Sequence, residues 1–525
     1  MIGGKAYMTS KKASRATKIP TRAKMNLSAV LIKIFLIAFT FCFIIIIGGV
    51  IFANDAYDCT PVIILLLVGV NILLMCVIYR VLVRHTKFLE RRYSTLIASG
   101  LLFFFVANVA VGFIMRYEPA FDLGAIFTGA SQWASTGEFM NQIDKTCDPN
   151  YFYYFPNNLG GMSLLFIAFK AVAWLGITDY YAIAMMFNAL LAAATVLLIT
   201  LICKRLFGVS QSVMVMIFVL MSPPFYFIAS TFYTDSLSMV FPVLIVYLYL
   251  RYLDSGANTK KRVISAVLLG LSCAVGMLVK YTVIIALIAV ILYHICTKGF
   301  RSILPFAIAS IAAIIGVFAL FNAYFYSVHI DKDTADRMKI PYSHWIMMSL
   351  YKDGRYNPND YEFTRSFKDP SERETAILEQ IKLRVKKRGV VGMLKLFNDK
   401  GVIAFGDGTF AQSDFLDDNP ANDTFLHSLA LYDGEDHETY RYVCSGIYFS
   451  LQLLMLVSAL SGIFIKKQRV ENVLPMLCVF GIMLFLMMWE VTGRYGTNYI
   501  PMIMISAVSG LDMVTQAVNR HRLGA

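Results

Sequence analysis

Long apolar segments dominate the sequence and limit the folds open to it. Residues 27–53 contain one charged side chain, Lys33, and residues 263–297 contain only Lys280 and His294 as basic residues and no acidic residue. A helix needs about 20 apolar residues to cross the hydrocarbon of a bilayer. Transmembrane strands would instead alternate apolar and polar residues in pieces of roughly ten, and the sequence lacks that alternation. The pattern therefore predicts an all-α polytopic membrane protein.

The charge distribution supports a membrane location. The 525 residues are 58% hydrophobic and 15% charged, whereas a soluble domain has about a quarter charged residues. A net charge of +13 would suit nucleic-acid binding. However, the positive residues cluster in short segments between apolar runs, as they do in the cytosolic loops of membrane proteins. We therefore expect a bilayer and no nucleic acid among the partners.

Twelve spans, with both termini in the cytosol, place the positively charged short loops on one side. The spans are predicted near residues 29–53, 61–79, 96–115, 181–203, 209–228, 237–253, 263–279, 281–297, 302–325, 446–464, 472–489 and 499–516. Residues 159–176 are also apolar, but a span there would invert every later loop. We therefore expect these residues to form a helix lying at the outer membrane face.

Two long segments then fall outside, 116–180 and 326–444. The second is polar and long enough for a small domain of roughly 120 residues, either α or α+β. The nine cysteines show no Cys-x-x-Cys or Cys/His metal spacing. Cys147 and Cys444 fall in these two segments, and Cys59 falls in the predicted outer loop between the first two spans, so one disulfide among the three stays open.

The first outer segment contains two candidate elements. Asp122 follows a predicted span by a few residues, and a carboxylate partly shielded from water can act as a base. The alternative is a helix N-cap, in which Asp122 accepts backbone N–H bonds. The segment Tyr151–Asn158 is aromatic and ends in proline and two amides. It is either an interfacial aromatic belt or a carbohydrate platform.

Three further ionisable residues are predicted at the outer ends of spans. Asp235 lies between two spans, and Lys280 lies in a turn with almost no other polar residue. An ionisable group at that depth is a functional candidate, with snorkelling to the headgroups as the alternative. Arg494 is predicted on the outer side of the membrane, where positive residues are less common. Arginine and lysine together on the outer face would suit a lipid phosphate. Pairing of Arg494 with Glu490 is the simpler alternative.

In this order the residues resemble the GT-C class of membrane glycosyltransferases, particularly bacterial relatives of protein O-mannosyltransferases and lipid A aminoarabinose transferases. The resemblance covers residues 96–325 and 472–516. It is carried by Asp122, Tyr151–Asn158, Tyr233–Asp235, the Lys280 turn and Arg494-Tyr495. The chain departs from the family pattern at two places. The family usually has an acidic pair where this chain has Asp122-Leu123, and many relatives have two prolines where it has Pro156-Asn157.

The resemblance implies the GT-C fold and an inverting sugar transfer at the outer face. The donor would be a polyprenyl-phosphate sugar, and the acceptor a hydroxyl of a glycan, glycolipid or protein. Asp122 would act as base or orient the acceptor, Asp235 would hold the sugar, acceptor or a cation, and Lys280 and Arg494 would stabilise the lipid phosphate. Contacts to sugar or acceptor are expected from Tyr153, Tyr154, Asn157, Asn158 and Tyr495. No cofactor is required, no metal ligands are assigned, and a divalent cation is compatible.

The same reading divides the chain into five parts. These are a cytosolic basic tail at 1–28, two added spans at 29–95, a core at 96–325 with a catalytic loop at 116–180, an external domain at 326–445 and C-terminal spans at 446–525. Two other functions stay open. A flippase or transporter of a lipid-linked sugar would form no glycosidic bond, and a non-catalytic partner in cell-envelope assembly would tolerate changes at Asp122 and Lys280.

Overall fold

The computed structural model describes residues 22–52, 60–139, 150–416, 420–464 and 470–523. Within these ranges the chain is helical and has no strand, apart from one isolated bridge between Tyr117 and Pro420. The predicted all-α polytopic fold is confirmed. Most of the basic tail, together with Cys59 and Cys147, lies outside the described residues. Cys444 is buried as a free thiol.

The helices of the first part of the chain run to the end of the predicted core. They are α1 Arg22–Phe52, α2 Pro61–Arg84, α3 Thr86–Ile114, α4 Phe121–Thr136, α5 Tyr151–Tyr154, α6 Leu159–Ala173, α7 Tyr180–Leu206, α8 Val209–Met221, α9 Thr234–Leu237, α10 Val240–Asp254, α11 Thr259–Val279, α12 Ile284–Lys298 and α13 Phe300–Val328. Short 3₁₀ helices cover Pro156–Asn158, Pro223–Ser230 and Tyr281–Val283.

The second part begins with short helices and ends with long ones. They are α14 Lys332–Met338, α15 Tyr342–Ser349, α16 Pro358–Ser366, α17 Pro370–Gly406, α18 Ser413–Leu416, α19 Phe425–Ala430, α20 His437–Phe464, α21 Val473–Met488 and α22 Ile500–Leu523. Two more 3₁₀ helices cover Val470–Asn472 and Gly493–Tyr499.

Ten helical segments of the described chain are long and apolar enough to cross a membrane. They coincide with ten of the twelve predicted spans. The predicted span at 209–228 is broken, because α8 and Pro223–Ser230 meet at 68°. Pro223 and Pro224 explain the break, since proline removes a backbone donor and clashes with the preceding turn. The predicted span at 472–489 corresponds to the shorter helix α21.

The long helices leave large apolar side chains exposed. Phe41, Leu66 and Leu320 are 65%, 65% and 75% exposed. In water such faces would mark a docking surface, but within a bilayer the lipid tails cover them. The chain is therefore a multi-pass membrane protein.

The apolar segment at 159–176 forms α6, a helix of fifteen residues. Its length of about 22 Å is less than the hydrocarbon thickness of about 30 Å, as a surface helix requires. The helix packs against α4. At its N-terminal end a Cβ on Gly160 would lie 1.9 Å from the carbonyl oxygen of Leu278. Glycine at this position therefore lets α6 touch the end of α11, two residues before Lys280.

The segment predicted as an external domain, 326–445, divides at Gly389. This residue has φ +60° within α17 and kinks the helix. Beyond the kink the helix packs on α1, where the rings of Phe43 and Phe405 lie 5.2 Å apart. The Gln452 side chain of α20 donates to the carbonyl oxygen of Phe405 at 2.9 Å. Residues near Phe405 therefore pack against the long helices α1 and α20, and the external domain at 326–445 stays a prediction.

Candidate active site

Three ionisable side chains from distant parts of the chain meet in one buried cluster. Asp235 lies in the first turn of α9, Lys280 follows α11 in extended conformation, and Arg494 belongs to the 3₁₀ helix before α22. Lys280 Nζ donates to Asp235 Oδ1, and Arg494 donates to Oδ2 at 3.2 Å. The three side chains are only 14%, 7% and 19% exposed for Lys280, Asp235 and Arg494. Two cations thus share one carboxylate.

Aromatic rings enclose the two cations. The guanidinium of Arg494 lies 4.7 Å from the ring centre of Phe415, 5.3 Å from Tyr495 and 5.4 Å from Tyr233. Lys280 Nζ lies 5.1 Å from the ring centre of Tyr495. Contacts of this kind contribute about 0.5–2 kcal/mol. The rings also exclude water, which strengthens the attraction of the cations for an anion.

Asp122 is held beside this cluster by two tyrosines. It lies in the first turn of α4, where Ala120 is the N-cap and makes no side-chain cap. The hydroxyl of Tyr151 donates to Asp122 Oδ1 at 2.7 Å, and that of Tyr233 donates to Oδ2 at 3.3 Å. The N-cap alternative for Asp122 is therefore wrong. Since the ring of Tyr233 also lies against Arg494, one side chain joins Asp122 to the ion cluster.

Tyr151 is the firmer of the two donors. Burial raises the pKa of its phenol well above the usual value, and the charge of Asp122 raises it further. The hydroxyl therefore stays protonated and donates to Asp122. Its oxygen in turn accepts from the side-chain amide of Asn158. Nothing in the local sequence distinguishes Tyr151 from its aromatic neighbours, and sequence reasoning missed its role.

The residues predicted to bind sugar or acceptor divide into two groups. Asn158 and Tyr495 contact the site, through Tyr151 and the two cations respectively. Tyr154 instead accepts a hydrogen bond from Arg365 at 3.1 Å. Tyr153 packs, half-buried, against the hydrophobic core. The exposed Asn157 reaches the site only through a 3.1 Å hydrogen bond to Asn158.

Glu490 is a buried acid that sequence reasoning considered only as a partner of Arg494. The structure gives a different partner, because the Tyr495 hydroxyl donates to Glu490 Oε1 at 3.2 Å and Arg494 pairs with Asp235. Burial raises the pKa of Glu490 to about 7; Arg494 opposes the rise and the charge of Asp122 adds to it. Lys400 Nζ donates instead to the carbonyl oxygens of Met487 and Trp489, at 3.0 and 2.5 Å.

The turn after α17 forms one wall of a cavity beside the cluster. The cavity is lined by residues that include Thr231, Asp235, Gln412, Phe415 and Arg494. Gln412 is fixed by a 2.6 Å hydrogen bond from its amide to the carbonyl oxygen of Pro224. Gln412 and Phe415 lie far along the chain from Thr231, Asp235 and Arg494, so no local motif could reveal them.

The described part of the chain contains no group of three or more His, Cys, Asp or Glu side chains that could hold a metal ion. The expectation that no metal is needed stays a prediction.

Comparison with known proteins gives one family and a distant structural likeness. Residues 22–514 match the family described as "conserved hypothetical integral membrane protein", and the chain belongs to that family. No curated protein matches the sequence.

Two solved structures are similar in part, both of ArnT from Cupriavidus metallidurans. The structure bound to undecaprenyl phosphate has 13% identity and a TM-score of 0.36, over 80% of this chain and 77% of that chain. The apo structure has 12% identity with the same TM-score and coverage. At these values the likeness assigns neither a substrate nor residue roles.

Proposed function

We propose that this integral membrane protein is a GT-C-class glycosyltransferase. It transfers a sugar from a polyprenyl-phosphate donor to an acceptor hydroxyl at the outer membrane face, with inversion. One observation carries the proposal: Lys280 and Arg494 converge on Asp235 in a buried, aromatic-walled cluster, and Tyr233 joins that cluster to Asp122. A pair of cations beside a carboxylate suits a reaction that releases a phosphate and removes a proton.

The cations suit the donor phosphate by charge. Lys280, Arg494 and Asp235 together leave one net positive charge, and a sugar phosphodiester carries one negative charge. When the sugar leaves, the lipid phosphate becomes a monoester and gains further negative charge near neutral pH. Cations fixed in a poorly hydrated site stabilise charge that develops in this way. Arginine can also contact two phosphate oxygens at once.

Asp122 suits the acceptor side of the reaction. Its Oδ1 is held by Tyr151 at 2.7 Å, whereas its contact with Tyr233 is longer, at 3.3 Å. The acceptor hydroxyl gives its proton to Oδ2, and its oxygen attacks the anomeric carbon opposite the phosphate. The bond between the anomeric carbon and the phosphate oxygen breaks, and its electron pair stays on the phosphate. The new glycosidic bond therefore has inverted configuration.

For Asp235 we propose a role that differs from the one implied by the resemblance. It is the partner of both cations, and we assign it to orienting Lys280 and Arg494 before the phosphate arrives. The phosphate then takes over part of its contacts. No divalent cation is needed in this scheme, because the two basic side chains already neutralise the phosphate.

Transfer by the purified protein in lipid nanodiscs tests the proposal. Undecaprenyl-phosphate mannose and undecaprenyl-phosphate glucose, labelled in the sugar, are supplied with a cell-envelope glycan fraction as acceptor. We expect label in the acceptor, and a loss of about 100-fold or more in Asp122→Asn, which removes the base. Glu118→Gln, an exposed acid four residues earlier, is the matched control and should keep full activity.

Two results would contradict the proposal. Full transfer by a folded Asp122→Asn protein would remove Asp122 as the base. Movement of labelled lipid across a vesicle membrane without any new glycosidic bond would favour a flippase instead.

A further inference from the structure

Glu490 has a carboxylate oxygen that no described residue satisfies. The residue is 4% exposed, and its Oε2 has no hydrogen-bond partner. A buried polar group left unpaired costs about 1–3 kcal/mol, and more when it is charged. Unpaired groups of this kind are rare in folded proteins. A ligand that donates to Oε2 would remove the cost.

The available cations around Glu490 are committed elsewhere. Arg494 is paired with Asp235, and Lys400 bonds to two carbonyl oxygens at the end of α21. The backbone next to Glu490 is also fixed, since the amide of Val491 donates to the carbonyl oxygen of Gly354 at 2.9 Å. Glu490 is therefore held in position while one of its oxygens stays open.

The open oxygen belongs to the same site as the cations and Asp122. Tyr495 joins Glu490 to Lys280, because its hydroxyl bonds to Glu490 and its ring lies under the Lys280 ammonium. Asp122 is joined to the cations in the same way, because the Tyr233 hydroxyl bonds to Asp122 and its ring lies against Arg494. One tyrosine therefore connects each of the two carboxylates to the cation cluster.

We propose that Glu490 binds a hydroxyl group of the donor's sugar, which donates a hydrogen bond to Oε2. This inference rests on the proposed function, in which Asp122 receives the acceptor hydroxyl and the cations receive the phosphate. Glu490 is then the residue that recognises the sugar itself. A site built to bond a substrate hydroxyl rejects analogues that lack it much more strongly than an apolar pocket does. Glu490 thus determines which sugar is transferred.

A functional and a structural carboxylate respond differently to replacement. If Glu490 served the fold, Glu490→Gln would lower thermal stability. If it serves a ligand, the same change removes an unpaired buried charge, so stability is unchanged or higher while binding falls. The isosteric glutamine keeps the volume, and the exposed Glu379→Gln on α17 is a matched control for the loss of one negative charge.

The decisive experiment compares binding of three lipids, one without a sugar and two with a sugar, by these variants in nanodiscs. The probes are undecaprenyl phosphate and undecaprenyl phosphate carrying mannose or glucose. We expect the wild type to bind at least one sugar-bearing lipid more tightly than undecaprenyl phosphate. Glu490→Gln should weaken that binding about tenfold, which corresponds to about 1.4 kcal/mol, and should leave undecaprenyl phosphate binding unchanged. Glu379→Gln should match the wild type for all three lipids.

Each other outcome overturns a defined part of the scheme. Unchanged binding of the sugar-bearing lipid by Glu490→Gln, or no preference for sugar in the wild type, overturns the assignment of Glu490 alone. An equal loss of binding for the lipids with and without sugar, together with lower thermal stability, makes Glu490 structural. If the wild type binds none of the three lipids, the proposed donor class is wrong and Glu490 falls with it.

Discussion

Replacing Asp235 by asparagine tests the ion cluster most sharply. The change removes the one negative charge that, among the described residues, is bonded to Lys280 and Arg494, and it keeps the side-chain size. Two cations, 14% and 19% exposed, would then face each other without a counter-ion. Breaking a buried ion pair by removing one partner costs about 3–5 kcal/mol, because the remaining charge stays buried and unpaired. We expect Asp235→Asn to lose stability in that range.

The assay is thermal unfolding of the detergent-solubilised protein, followed with and without undecaprenyl phosphate. A lipid phosphate can replace the missing carboxylate between the two cations. The lipid should therefore raise the unfolding temperature of Asp235→Asn by more than that of the wild type. Asp254→Asn is the control, since Asp254 pairs with Arg205 while 49% exposed. Such a surface pair contributes about 0–1 kcal/mol.

Two results would refute this reasoning. Equal stability of Asp235→Asn and the wild type would mean that the cluster holds no strong buried ion pair. A smaller shift with undecaprenyl phosphate in Asp235→Asn than in the wild type would mean that the phosphate binds elsewhere.

Three further predictions concern the surroundings of the cluster. Tyr151→Phe should reduce transfer about tenfold, because it removes the shorter hydrogen bond to Asp122 and leaves a carboxylate oxygen unpaired; unchanged transfer rates would contradict this. Gly160→Ala should lower the unfolding temperature, by a cost of about 1–3 kcal/mol, because its Cβ would collide with Leu278. Gly69→Ala, with open space around it, should have little effect. Finally, wild-type stability should fall by about 3 kcal/mol between pH 4.5 and 7, since folded Glu490 titrates near 7 and holds its proton where the unfolded chain has lost it. A curve of the same slope for Glu490→Gln would contradict that assignment.

The spans could be predicted because hydropathy is a local property. A run of apolar residues such as 27–53 identifies a membrane helix whatever it packs against. The position of α6 needed a second argument, the distribution of positive charge in later loops. The breaks in helices, and the segments that pack between other helices, depend less on the local sequence. The bend at Pro223 and the packing of residues near Phe405 against α1 and α20 depend on neighbours far along the chain.

The sequence indicated which ionisable residues form the site, but not which of them pair with each other. Asp122, Asp235, Lys280 and Arg494 each stand out as ionisable groups beside apolar segments, and the structure brings them together. No sequence pattern indicated that Asp235 would pair with both cations, since Arg494 is 259 residues away. Glu490 was assigned the nearest opposite charge, Arg494, and the fold gave it Tyr495 instead.

The position of a lipid phosphate tests the central claim most directly. A structure of the protein in nanodiscs with undecaprenyl phosphate bound would locate it. We predict a phosphate within hydrogen-bond distance of Lys280 and Arg494, with Asp122 beside it and the lipid chain leaving through the outer half of the helix bundle. A phosphate bound at the opposite membrane face, or away from both cations, would contradict the account.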